Sequence, residues 1–178
     1  MSRISQPYKG YISSILNDLG IELSKFSNLN LPLQKEESNL QYIGTDIYNR
    51  KQYLLDKTAK KWFSLQNHAK KNGIKLQLIS AFRSVEYQRL LWEKKLSSGS
   101  SIEQIIFSSV PPGFSEHHTG RSIDITTEYC SPLSYEFELT SAYMWLVANA
   151  AEFDLEMTYK RNNKYGINFE PWHWCFQI

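Results

Sequence analysis

A chain of 178 residues is the size of one domain and long enough to bury most of a core. A net charge of +2 without any basic tract argues against a nucleic-acid or membrane surface. No apolar run approaches the ~18 residues of a membrane span, and an aromatic content of 14% leaves rings to line a site once the core is filled.

The opening residues, MSRISQPYKGYISS, carry neither an apolar h-region nor a small-residue cleavage pattern. As written, the chain is expected in the cytoplasm, and in the periplasm or outside the cell if it is a processed form. Residues 8–19 set Ile12, Ile15, Leu16 and Leu19 at helical spacing, with Gly20 as a stop. Leu29, Leu31 and Leu33 then alternate around Pro32, an extended segment that the proline keeps out of a central strand. Residues 1–40 therefore read as an N-terminal extension packed on a domain formed by residues 41–178.

Residues 50–72 give the strongest helical stripe, through Leu55, Ala59, Trp62, Gln66 and Ala69, ended by Asn72-Gly73. His68, late in that helix, reads as a surface or capping residue. IKLQLIS alternates as a strand over 74–80, with Ile74, Leu76 and Leu78 on one face. Ser84 is a good N-cap for a helix over 85–96, its stripe formed by Tyr87, Leu90, Leu91 and the stem of Lys94. Ser101 and Gln104 have the form of a capping box before Ile105 and Ile106, and Pro111-Pro112-Gly113 stops that short helix.

Residues 122–126 alternate again, Ser122, Asp124 and Thr126 on one face and Ile123 and Ile125 on the other. Such a strand lays its apolar face on a core and its polar face on a site. Thr140 can cap a helix over 141–152 that is apolar on most of its circumference and so expected to be buried. Strands are expected at 155–159 and over 167–176, with a turn at 161–164 between them. Helices first, then strands about one buried helix, predict an α+β fold with a small, mostly antiparallel sheet.

The chemistry gathers in two segments. A catalytic zinc takes three protein ligands from His, Asp, Glu and Cys and keeps a further position for water. His117 and Asp124 lie seven positions apart, of opposite strand parity, and can face one metal only if the chain turns or bulges, as Gly120 allows. By spacing alone, such a pair is more often structural. Glu170 and His173 sharpen the reading, because hydrolysis at a metal needs a base that touches the water and not the metal. Pro171 implies that Glu170 precedes the strand ladder or sits at a bulge. Arg83 directly follows a strand, where a guanidinium suits a carboxylate or an oxyanion, though alone it is more often a surface ion-pair partner. Gln88 could reach into the same cleft or lie solvated on its helix. His118 is adjacent to His117, so the two side chains diverge, and His117 is the better ligand. Trp172 and Trp174 read as packing. Cys175 reads as a neighbour of His173 and not a ligand, and with only Cys130 besides, no cysteine metal cluster can form.

These residues resemble a family. Ser115-Glu-His117-His-Thr-Gly120-Arg-Ser122-Ile-Asp124 is similar to the S-x-H-x-x-G-x-A-x-D motif of the LAS zinc peptidases, which include the hedgehog signalling domain. Glu170-Pro-Trp-His173-Trp matches the E-P-W-H-W of the VanY-like D-alanyl-D-alanine carboxypeptidases, and Ser80-Ala-Phe-Arg83-Ser with Gln88 resembles that subgroup's S-x-[YF]-R-S-x-x-x-x-Q. The resemblance implies Zn2+ held by His117, Asp124 and His173, Glu170 as the base, Arg83 on the scissile carbonyl or the substrate, and Gln88 and Ser115 on the peptide end. Ser122 stands where many members have Ala, and Cys175 where many have Arg or His. The expectation is a monomeric zinc carboxypeptidase that removes a terminal D-alanine from peptidoglycan stem peptides or precursors, with no nucleic acid partner and no membrane span. The rivals are an endopeptidase or lysin with the same site, and a binding domain with a non-catalytic zinc.

Overall fold

The computed structural model describes residues 4–26 and 28–178. Its elements in chain order begin with helix α1 (Gln6–Asp18), hairpin strands β1 (Leu40–Thr45) and β2 (Lys51–Leu55), helix α2 (Asp56–Lys71) and strand β3 (Gln77–Ser80). Helices α3 (Val85–Ser97) and α4 (Ile102–Ile105), strand β4 (Ser122–Thr126), helix α5 (Ser141–Asn149) and strands β5 (Leu155–Met157) and β6 (His173–Phe176) follow. The fold is α+β. β3, β4, β6 and β5 form one sheet in that order, every neighbouring pair antiparallel. Among the described residues no helix is long and apolar enough to cross a membrane.

Alternation along the strands decides what each sheet face does. Ile123 and Ile125 of β4, with Trp174 and Phe176 of β6, join Trp62, Leu65 and Ala69 of α2 and Leu146 of α5 in the main core. The seven of these side chains larger than Ala69, each almost wholly removed from water, contribute roughly 1.5–3 kcal/mol apiece. The alternate residues Ser122, Asp124 and Thr126 point to the other face, as the β4 pattern requires.

Four expectations need correction. Residues 51–55 are not the start of α2 but strand β2, paired antiparallel with β1, and α2 begins at Asp56. In KQYLL, Gln52 and Leu54 are buried, a period-2 pattern that merges into the helical stripe at Leu55. The buried stripe of α3 is Val85, Gln88 and Trp92, whereas Tyr87 and Leu90 are exposed. Helix α5 buries only Ala142 and Leu146 fully, and Met144 and Val147 are 64% and 57% exposed. The last strand is also shorter than read, starting at His173. The caps behave as their chemistry demands: Ser84 Oγ accepts from Tyr87 N–H, and Ser101 and Gln104 close a reciprocal capping box.

A second apolar cluster joins α1 to α3 and α4 through Ile12, Ile15, Val85, Trp92, Ile105 and Ile106. Gly113 lies so close to α1 that a Cβ there would sit 2.6 Å from Ile12. Gln34 N–H donates to the Gly113 carbonyl and Glu37 N–H to that of His118, and the Glu36 carboxylate accepts from Val85 N–H. The segment before β1 thus runs along the back of the loop that carries the histidines. Of residues 1–40, positions 1–3 and 27 lie outside the described residues.

Candidate active site

Cross-strand register brings the first two groups together. Asp124 of β4 is the direct partner of His173 of β6, and on its other side pairs with Ser80, the last residue of β3. His117 arrives by a different route. It lies in a short 3-10 turn, Glu116–Thr119, in which Ser115 Oγ accepts from the His117 amide and which ends at Gly120 with φ +64°. Only glycine fits there: a Cβ would lie 2.9 Å from both Leu55 N and Leu40 Cδ2, on top of the cost of a left-handed backbone. The required break in strand parity is therefore present, as a turn. At the second segment, Glu170 lies outside the ladder, and the turn through Pro171 and Trp172 closes with His173 N–H donating to the Glu170 carbonyl at 3.1 Å.

His117, Asp124 and His173 are all buried, and one ligand atom from each lies within 4.8 Å of the others. The proton positions follow from the partners. His117 Nδ1 faces the Ala81 carbonyl at 2.5 Å, so Nδ1 carries the hydrogen and Nε2 presents a bare lone pair. That lone pair points at Asp124 Oδ2, 3.2 Å away, and has no donor of its own. Two lone pairs face each other inside the protein, an arrangement that a cation between them would relieve. The separation is close to the ~3.3 Å between ligand atoms of a tetrahedral site with bonds of about 2.0–2.1 Å. The set of two imidazoles and one carboxylate fits a catalytic zinc.

His173 is held from both ends. Its Nδ1 donates to Asp124 Oδ1 at 3.1 Å and its Nε2 to Glu116 Oε2 at 3.0 Å. Burial pulls its pKa down, but the two carboxylates outweigh burial and raise it to about 10. Without a metal it is a cation; a metal would replace the Nδ1 proton and leave Nε2–H on Glu116, which then fixes ring and tautomer. His117 is the opposite case: burial first, then the nearby Arg83 charge, lower its pKa to about 4. Burial would raise Asp124, but the surrounding histidines and Arg83 hold it well below the usual carboxylate range.

Arg83 Nη2 donates to Asp124 Oδ2 at 2.9 Å and Nη1 to Gln88 Oε1 at 3.1 Å, while its Nε–H is buried without a partner. Gln88 is 1% exposed, and its Nε2 donates to the Val110 carbonyl at 2.7 Å. A cleft of about 230 Å³ opens onto these groups, lined by Arg83, Ser115, His117, Asp124, Glu170 and His173 among others. Burial raises the pKa of Glu170 to about 7; Asp124 adds to this, and His173, Arg83 and Lys95 oppose it.

Every candidate singled out in the sequence lines this cleft, Gln88 and Ser115 included. His118 turns away: its Nε2 accepts from Gly113 N–H at 3.0 Å, and Nδ1–H donates to the Arg83 carbonyl at 2.7 Å. Trp174 is core, Trp172 lines the cleft, and Cys175 is buried opposite Ser122. Cys130 and Cys175 are both free thiols. Reading the sequence missed Glu116, Lys95 and Tyr159, whose ring stacks on His173 at 4.6 Å. Only Glu116 left a trace there, as a carboxylate beside a ligand histidine.

Comparison with known proteins adds an independent line. A family model described as VanY, D-alanyl-D-alanine carboxypeptidase, matches residues 51–178. The chain is 28% identical over 137 residues to YodJ of Bacillus subtilis (strain 168), described as a candidate carboxypeptidase. That match takes in 70% of this chain and 46% of YodJ, so the chain spans about half the length of this relative. The structure of the LdcB LD-carboxypeptidase matches with a TM-score of 0.70 at 24% identity, over 82% of this chain and 71% of that one. A D,D-pentapeptidase VanY from a VanB-type resistance cassette, solved as a mutant in complex with Zn(II), matches with a TM-score of 0.64 at 20% identity, over 84% of this chain and 87% of that one. Both share its fold.

Proposed function

The chain belongs to the VanY family of D-alanyl-D-alanine carboxypeptidases, and from that premise we propose that it is a zinc-dependent carboxypeptidase removing a terminal D-alanine from peptidoglycan stem peptides or their precursors. The observation that carries this reading is the bare His117 Nε2 facing Asp124 Oδ2 at 3.2 Å, in a cleft that also holds a half-buried carboxyl group, Glu170. All of these groups come from one chain, which supports a monomer as the acting unit.

His117, Asp124 and His173 would hold the metal, which when bound polarises the scissile carbonyl and acidifies water. Glu170 takes the proton of the attacking water at its carboxylate and passes it to the departing amine. A carboxyl whose pKa burial has brought to about 7 is matched to both transfers near neutral pH. Arg83 supplies N–H donors toward the oxyanion that develops on the carbonyl. Gln88 acts through Arg83, since its Oε1 holds one guanidinium nitrogen and its Nε2 is tied to the backbone. Ser115 holds the turn that presents His117 and lines the cleft where the peptide end would lie.

The test is incubation of the zinc-loaded protein with a stem pentapeptide and a tetrapeptide, with and without chelator, followed by product masses. Loss of one terminal D-alanine, abolished by chelator, is expected. Internal cleavage would make the protein an endopeptidase. Glu170→Gln should keep zinc and lose turnover by about 10²–10⁴-fold. Near wild-type turnover in that variant would remove Glu170 from the mechanism.

A further inference from the structure

Two side chains with permanent or near-permanent positive charge line the cleft, Arg83 and Lys95. Their situations differ. Arg83 is anchored on Asp124 and Gln88, and the N–H groups it has left are those assigned above to the oxyanion. Lys95 forms no ion pair or hydrogen bond at its ammonium among the described residues, although it is partly buried in the last turn of α3. Elsewhere on α3 a cation is engaged at the surface: Arg89 bonds to both Glu86 and Glu93.

Helical geometry explains why Lys95 faces the cleft. Gln88, Leu91 and Lys95 follow one another at spacings of three and four, which is one face of α3, and all line the cleft. The residues that the sequence offered for the peptide end are largely occupied. Gln88 has its oxygen on Arg83 and an N–H on the Val110 carbonyl, and Ser115 Oγ accepts from His117 N–H. A substrate cut at its C-terminus brings a carboxylate into this space, and desolvating that carboxylate without a donor would be costly.

We propose that Lys95 is the residue that recognises the free C-terminal carboxylate of the substrate, and so makes the cleft select for removal of a terminal residue over cleavage within a chain. This rests on the hydrolase reading above. The ammonium would donate to the carboxylate directly, and the apolar side chain of Leu91 one turn earlier would flank the same terminal residue.

The experiment compares one peptide ending in D-alanine with its C-terminal amide, on wild type, Lys95→Met and Lys95→Arg. The wild type should prefer the acid in kcat/KM. Lys95→Met should lose about 10–100-fold on the acid, the effect of removing a charge-assisted hydrogen bond, through KM and with little change on the amide. Lys95→Arg should restore part of the preference. Retention of the full acid preference in Lys95→Met overturns the proposal. So does a loss carried by kcat with a displaced pH profile, which would mean that Lys95 acts on Glu170. Calorimetric binding of acid and amide to the zinc-loaded wild type separates the two readings. Tighter binding of the acid without turnover would sink the hydrolase reading alone, and equal binding would sink the role of Lys95.

Discussion

Two buried aspartates, Asp46 and Asp124, both lie beside the C-terminal end of strand β3, and their surroundings differ in kind. Asp46 Oδ1 accepts from the backbone N–H groups of Tyr48 and Arg50 at 2.8 and 3.0 Å. Its Oδ2 accepts from Arg50 Nε and Gln52 Nε2, both at 2.7 Å. The network closes outward, with Arg50 Nη2 on the Ile79 carbonyl and Gln52 Oε1 on Ala81 N–H. Asp124, by contrast, faces a lone pair on His117, and the guanidinium beside it leaves a buried Nε–H without a partner. A polar cluster that satisfies itself ties the hairpin to β3; one that does not is shaped for something from outside. Burial and charge are common to both, so it is the unmet valence that distinguishes a site from a strut.

The sharpest way to break this comparison is to add zinc. Saturating the wild type at about 100 times Kd should stabilise it by roughly 2.7 kcal/mol. His117→Ala, which removes the bare nitrogen, should lose most of that increment together with activity, while Asp46→Ala should retain most of it. Thermal melts with and without zinc on the three proteins decide the matter. An equal zinc increment in His117→Ala would move the metal elsewhere.

The reciprocal change tests the strut. Asp46→Ala leaves several buried or half-buried donors without an acceptor, and each such loss costs about 1–3 kcal/mol before relaxation and entry of water. A net destabilisation of about 2–3 kcal/mol is expected in zinc-free protein. Because Gln52 also orients Ala81, whose carbonyl holds His117, a modest weakening of zinc affinity should accompany it. Destabilisation below about 0.5 kcal/mol, the range of an ordinary surface substitution, would show that the network does not tie the hairpin down.

The two clusters were unequally legible in the sequence. The ligands of the candidate metal site announce themselves because each lies in a short segment with a turn signal beside it, Gly120 or Pro171. The Asp46 network went unread because its hairpin did. Leu54 and Leu55 satisfy both a strand's alternation and the leading edge of the α2 stripe, and local pattern does not arbitrate between them. Gln88 shows the same limit from another side. A glutamine reads as the solvated face of a helix, yet it is buried because Arg83 and the Val110 carbonyl meet both ends of its amide. Glu116 and Lys95 acquire meaning only from partners brought in by the fold; Glu116 meets His173 across 57 positions. Residues whose role depends on their own neighbours in the chain were visible, and those whose role depends on the fold were not.

The smallest effect concerns protons on Asp46. Burial raises its pKa, but the N–H groups of Arg50 and Tyr48 and the Arg50 guanidinium outweigh burial, so the folded value lies below the ordinary 3.8. A depressed folded pKa means that the unfolded chain binds the proton more readily. The stability that Asp46 adds by being charged is therefore fully present above the unfolded value and drains away as pH falls through the folded one. Asp46→Asn never has that increment. The gap in unfolding free energy between wild type and Asp46→Asn should be constant from neutral pH down to about 5 and narrow below about 4. Urea melts in the presence of chelator measure it, since acid would otherwise release metal and confound the comparison. The gap should be smaller than the cost of Asp46→Ala, because asparagine keeps one oxygen for the turn amides. A gap that stayed constant to pH 3 would mean that the donors around Asp46 do not favour its charged form, and the contrast with Asp124 would then rest on satisfied hydrogen bonds alone.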